Sequence, residues 1–153
     1  MANLAQVINV LQAVILTDKE KMIVTPTYHV MEMYNVHQDA LLLPLTLTSA
    51  DYILGRDKLK AVNASASRDK NGVTHISLVN IDPNKEHTIT ISIKGASYKS
   101  VSGRVLKSAR MQDYNSFDDP EKIKPVSYDG AKLTGNRLVL KIPATSVIVL
   151  ELK

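Results

Sequence analysis

This sequence predicts a mainly β protein: an antiparallel β-sandwich with a helical preface. Three observations carry that prediction. From residue 41 onward, short apolar runs alternate with period two. Turn-forming pairs separate those runs at short intervals. Before residue 40, apolar residues recur instead at helical spacing.

The chain has 153 residues and no cysteine; 44% are hydrophobic and 22% charged. That describes an ordinary globular domain and excludes a collagen-like chain, a disulfide scaffold and a wholly disordered one. Lys and Arg total 19 against 15 Asp and Glu, a net charge of +4. The basic residues are scattered and interrupted by acids, as in Arg56-Asp57-Lys58-Leu59-Lys60. No basic stripe forms, so nucleic acid is not expected as a partner. No stretch reaches about 18 apolar residues, so no membrane-spanning helix is expected. The N-terminus does not read as a signal peptide. There is no Trp and a single Phe. A dense aromatic stacking surface cannot be built, although Tyr52, Tyr98, Tyr114 and Tyr128 could supply a small one.

In chain order, Leu4, Val7, Ile8, Leu11, Val14 and Ile15 follow helical spacing, with Gln6, Asn9 and Gln12 on the other face. The spacing predicts a helix over 4–16. Thr25-Pro26 marks a second helix start, with proline at the first helical position. That helix should run to about Gln38. Tyr28, Val30, Met31, Met33, Tyr34 and Val36 cover most of its circumference, so it needs burial on more than one side.

The strands follow. Val62, Ala64 and Ala66 alternate with polar residues; so do Ile89, Ile91 and Ile93, and then Leu138, Leu140 and Ile142. Val147 to Leu152 is apolar until Glu151 and suits a central strand. Asn71-Gly72 predicts a tight turn with positive φ at both positions. Asp82-Pro83-Asn84-Lys85 predicts a type I turn, and Asp129-Gly130 and Gly135-Asn136 are further turn signals. Tyr114 to Pro125 reads as a long polar loop over one end of the sandwich.

The chemistry on offer is sparse. Without cysteine there is no thiolate nucleophile or cysteine metal site. His29 and His37 lie about two turns apart on one helix, too far for one zinc ion, and read as capped or interface histidines. His75 falls mid-strand on the polar face, and His87 opens a strand. No metal or cofactor is expected. Asp118, Asp119 and Glu121 form a solvated acidic loop. Glu32 sits on an apolar helix and needs a partner if buried. There is no phosphate-binding loop and no nucleophile elbow. Asn63-Ala64-Ser65 matches a glycosylation pattern but reads as the polar face of a strand.

The helical preface adds a resemblance. Met1-Ala-Asn-Leu-Ala-Gln-Val-Ile-Asn-Val-Leu-Gln-Ala, with Thr25-Pro-Thr-Tyr-His-Val-Met-Glu-Met-Tyr-Asn-Val-His-Gln38, closely resembles the C-terminal part of family 51 α-L-arabinofuranosidases. The resemblance covers essentially the whole chain, and the first 40 residues carry most of its specificity. It implies a (β/α)8 barrel followed by a jelly-roll-like sandwich. Residues 1–40 would be a helical remnant of the catalytic barrel, about two helices, and residues 41–153 the C-terminal β-sandwich. The resemblance places Met1 to Gln6 at the end of the last barrel strand, whereas periodicity supports a helix from Val7 onward. It implies that the two catalytic Glu lie on earlier barrel strands, outside this sequence. It also implies that Gln6, and more weakly Asn3, reach the arabinose site; an amide can both donate to and accept from neighbouring hydroxyls.

The implied function is that of a non-catalytic C-terminal region. Its parent would remove terminal arabinofuranosyl groups from arabinan or arabinoxylan by a retaining mechanism. The partner would be an arabinose-containing oligosaccharide or polysaccharide, met through the parent. The isolated chain should be inactive and should hide its helical preface by association, for instance as a homo-oligomer. Two alternatives are a stand-alone sandwich that binds glycan or protein, and a small enzyme using Asp118, Asp119 or Glu32.

Overall fold

The computed structural model describes residues 6–153. A hairpin of β1 (Ile15–Asp18) and β2 (Lys21–Val24) leads into helix α1 (Pro26–Tyr34) and a 3-10 turn, Asn35–His37. The strands that follow are β3 (Leu41–Leu42), β4 (Asp51–Leu54), β5 (Asp57–Lys60), β6 (Val62–Arg68), β7 (Thr74–Asn80), β8 (His87–Ser92) and β9 (Val101–Lys107). The last four are β10 (Val126–Ser127), β11 (Ala131–Thr134), β12 (Arg137–Ile142) and β13 (Ser146–Leu152).

Six strands form one antiparallel sheet in the order β10-β9-β13-β7-β6-β3, and three form a second in the order β11-β12-β8. The sheets face each other over one apolar core, as the alternation predicted. Ile76 and Leu78 of β7, Val105 of β9 and Ile148, Leu150 and Leu152 of β13 meet Leu138, Leu140 and Ile142 of β12. Burying such side chains contributes roughly 1.5–3 kcal/mol each. Gly103 of β9 is required by close approach: a Cβ there would lie 2.7 Å from Leu150 Cδ2.

The long sheet is also covered on its outer face. Met33 of α1 is fully buried against Leu106, Val149 and Ile123, with Val30, Tyr34, Val36 and Val147 around them. β13 therefore buries alternate residues on both sides, which suits its central place. The same cover corrects the reading of His75. Its side of β7 is polar in sequence, yet His75 is buried, because α1 and the following turn lie over that face.

The helix expected over Val7 to Ile15 is not formed. Asn9 and Gln12 take positive φ, of 51° and 62°, which no right-handed helix accommodates. The Val7 carbonyl accepts from the amides of both Val14 and Ile15, closing a loop. Asn9 brackets Thr17, donating to its hydroxyl and accepting from its amide, both at 2.8 Å. Leu11 is 94% exposed, so the helical spacing of apolar residues was coincidental. One α-helix is present among the described residues, and it starts at Pro26 as the Thr-Pro signal predicted.

The turns were partly foreseen. Asp82 Oδ1 accepts from the amides of Asn84 and Lys85, as its turn requires. Gly135, at φ 56°, closes the β11–β12 hairpin with Asn136. At Asn71-Gly72 only Gly72 takes positive φ. There Asp69 Oδ1 accepts from the amides of Asn71 and Val73, and the side chain sets the turn.

Candidate functional site

Gln6 is exposed and precedes the loop that leads to β1. Asn3 lies outside the described residues. Next to this segment, Val7, Ile8 and Met22 are more than half exposed. On α1, Tyr28 and Met31 are exposed while Met33 is buried. The helix thus packs one side on the sandwich and leaves the other bare. The all-round apolar character read from the sequence is only half used.

The helix is fastened to the sheet by polar contacts as well. Glu32 accepts from Arg104 of β9 at 2.7 Å, on the surface. Glu32 is exposed, so the condition under which it would have needed a partner is not met, and a half-exposed pair contributes at most about 1 kcal/mol. Beyond the helix, His37 Nδ1 bonds Ser67 Oγ at 2.6 Å and His37 Nε2 bonds Ser77 Oγ. The Tyr34 and His75 rings stand edge-on to it, with centres 5.6 and 6.5 Å away. Burial, and then the neighbouring His75, hold His37 below its ordinary 6.5. His37 is thus an interface histidine, as expected; its serine partners on β6 and β7 were not foreseen.

A cavity of about 240 Å³ opens between α1 and the outer sheet, lined by Glu32, His75, Ser102, Arg104 and Glu151 among others. Two carboxylates share it, but each is ion-paired, Glu32 to Arg104 and Glu151 to Lys153. Glycoside hydrolysis needs one carboxyl kept protonated in a dry pocket beside a second that stays charged. Two solvent-reached, cation-paired carboxylates do not provide that. Asp118, Asp119 and Glu121 are exposed as well, and Glu121 pairs with Lys124 at 2.6 Å. The small-enzyme alternative therefore finds no acid–base pair among the described residues.

The tyrosines do not form a platform. The Tyr98 ring packs on the core, its hydroxyl 2.6 Å from Thr74 Oγ1. Tyr128 also packs on the core and donates to the Lys141 carbonyl. Tyr52 lies on the separate β4–β5 hairpin and Tyr114 on the long loop. The glycan-binding alternative loses its stacking surface. The long loop is itself pinned by buried Asn115. Its Nδ2 donates to the Val24 and Ile123 carbonyls, and its Oδ1 accepts from the Ile123 amide.

The profile of the α-L-arabinofuranosidase C-terminal domain matches residues 1–146. The chain belongs to this domain family. It is 42% identical, over its full length, to an intracellular exo-α-L-arabinofuranosidase of Bacteroides ovatus, and spans 30% of that protein. Among solved structures it resembles the family 51 arabinofuranosidase of Xanthomonas axonopodis pv. citri, with TM-score 0.96 and 39% identity. The match covers all of this chain and 31% of that one. A family 51 α-L-arabinofuranosidase of Bifidobacterium longum matches with TM-score 0.85 over 97% of this chain and 30% of its own; at 21% identity it speaks for the fold alone. The chain, a C-terminal β-sandwich domain of the α-L-arabinofuranosidase family, thus spans about 30% of the length of these relatives.

Proposed function

We propose that the chain serves as the C-terminal region of a retaining α-L-arabinofuranosidase acting on terminal arabinofuranosyl groups of arabinan- or arabinoxylan-type glycans. The observation that carries this reading is the end-to-end match to about 30% of an exo-α-L-arabinofuranosidase. The surface supports it. A compact monomer of 16.9 kDa exposes about 7,700 Å², whereas this chain exposes 10417 Å². The excess suits a piece that rests against something larger.

In this reading residues 1–40 belong with the catalytic barrel and residues 41–153 form the supporting sandwich. The bare side of α1, with Tyr28 and Met31, faces the barrel, which supplies both catalytic carboxylates. Gln6 reaches a sugar hydroxyl of the bound arabinose from the exposed N-terminal segment, and Asn3 assists. Alone, the chain covers its bare apolar side with a second copy.

Hydrolysis of an aryl α-L-arabinofuranoside tests the reading. The purified chain should give no turnover, and the longer reading frame, carrying two Glu-bearing barrel motifs before Met1, should be active. Turnover by the chain alone that vanished on substituting one of its own Asp or Glu would overturn it.

A further inference from the structure

We propose that His37 is an acid-sensitive clasp: a second proton on its imidazole releases α1 and the turn after it from the outer face of the six-stranded sheet.

The geometry disfavours an imidazolium. Both ring nitrogens of His37 are bonded to serine hydroxyls, Ser67 on β6 and Ser77 on β7. A neutral imidazole donates with one nitrogen and accepts with the other, so one serine must donate to the ring. Once both nitrogens carry protons, that hydroxyl must turn its own proton away. If Ser77 is the donor, its proton turns into a buried site, since Ser77 is 0% exposed and its side-chain bond is the one to His37. If Ser67 is the donor, its proton turns into a buried site, since Ser67 is 4% exposed.

The new charge also lacks a counter-ion. From β7 the nearest titratable group is His75, itself a potential cation with its ring centre 6.5 Å away. Asp69 touches His75, not His37, at 3.4 Å. Glu151 of β13 stands opposite His75 in register and pairs with Lys153. On the helix side Glu32 is held by Arg104 of β9, and Tyr34 is neutral. Among the described residues no carboxylate bonds to His37. Protonation therefore favours the undocked helix, in which the ring is hydrated. The sign follows from the lowered folded-state affinity: docking is complete above 6.5, the ordinary value, and is lost progressively as pH falls below it.

Hydrogen-exchange protection factors of the chain between about pH 7.5 and pH 5 test this. The α1 amides should lose protection below pH 6.5 while those of β7 and β13 keep theirs. His37→Gln retains a donor and an acceptor but cannot titrate, and should abolish most of the loss. His29, on the same helix, is also lowered by burial and adds to the loss, so His29→Gln should reduce it without abolishing it. Constant α1 protection down to pH 5, or the same loss in His37→Gln, would overturn the clasp. If His37→Gln fails to fold, the wild-type imidazole resonance decides: it should titrate below 6.5 together with the Met33 methyl. Titration at or above 6.5, or independent of Met33, would overturn it equally.

Discussion

Single polar residues hold the irregular parts of this domain. Asn115 holds the 114–125 loop with three bonds, one to Val24 and two to Ile123 within the loop, and is 2% exposed. Asn115→Ala should strand two buried carbonyls and one amide, costing about 3 kcal/mol in urea unfolding. Asn115→Asp should do no better, because a carboxylate cannot donate. A loss under about 1 kcal/mol for the alanine would show that the loop is held elsewhere. Asn80 acts similarly, its Nδ2 donating to the Lys85, Ile142 and Pro143 carbonyls. Neither was legible in the sequence: Asn115 looks like any residue of a polar loop, and Asn80 like a strand end before the Asp82-Pro83 turn. Gln6 was singled out only through the family resemblance. In the longer enzyme Gln6→Ala should lower kcat/KM by about 1–3 kcal/mol of transition-state stabilisation with little change in Tm; an unchanged kcat/KM removes it from the site.

At the scale of elements, the strands with regular alternation, such as β6, β8 and β12, were readable; the β1–β2 hairpin, in the stretch read as helical, and β9 were not. Leu138, Leu140 and Ile142 alternate because β12 has one buried face, and periodicity reports that directly. β7 is different: covered on both faces, it mixes apolar core residues with His75 and Ser77, and its polar side looks solvated until α1 is placed over it. The false helix over 7–15 arose because the apolar residues there serve a loop and an exposed surface, which periodicity cannot separate from a core stripe. The helix that does form is held by packing far more than by charge. Met33→Ala should cost about 2–5 kcal/mol, against at most about 1 kcal/mol for Arg104→Ala. Comparable Tm losses for the two would mean that the ion pair, not the apolar contact, fixes α1.

For the whole molecule, acid should act in two stages. The side-chain bonds from Lys60 and Lys58 hold Asp51 below 3.8, and the amides of Asn84 and Lys85 do the same for Asp82. Groups depressed in the folded state stabilise it above their ordinary value and lose that contribution as pH falls through it. The β4–β5 hairpin, through Asp51, and the sandwich, through Asp82, should therefore weaken below about pH 4, well after the helix loosens. Circular dichroism against pH should show β-structure persisting through pH 5; collapse of helix and sheet together near pH 6 would contradict this. The bare side of α1 should also make the isolated chain associate, which light scattering reads as a mass above 16.9 kDa. A monomer at high concentration would mean that the N-terminal segment folds back over the helix.

The placement of β13 has a kinetic consequence. Its neighbours, β7 and β9, begin 72 and 45 residues earlier and never pair with each other. The six-stranded sheet cannot zip up from local hairpins; it must wait for a distant segment to be inserted between two halves, and such topologies fold slowly. Until then both halves present raw hydrogen-bonding edges, the kind that recruit other chains. A nick or frameshift that removes Ser146–Leu152 should thus produce an aggregating polypeptide instead of a slightly shortened domain.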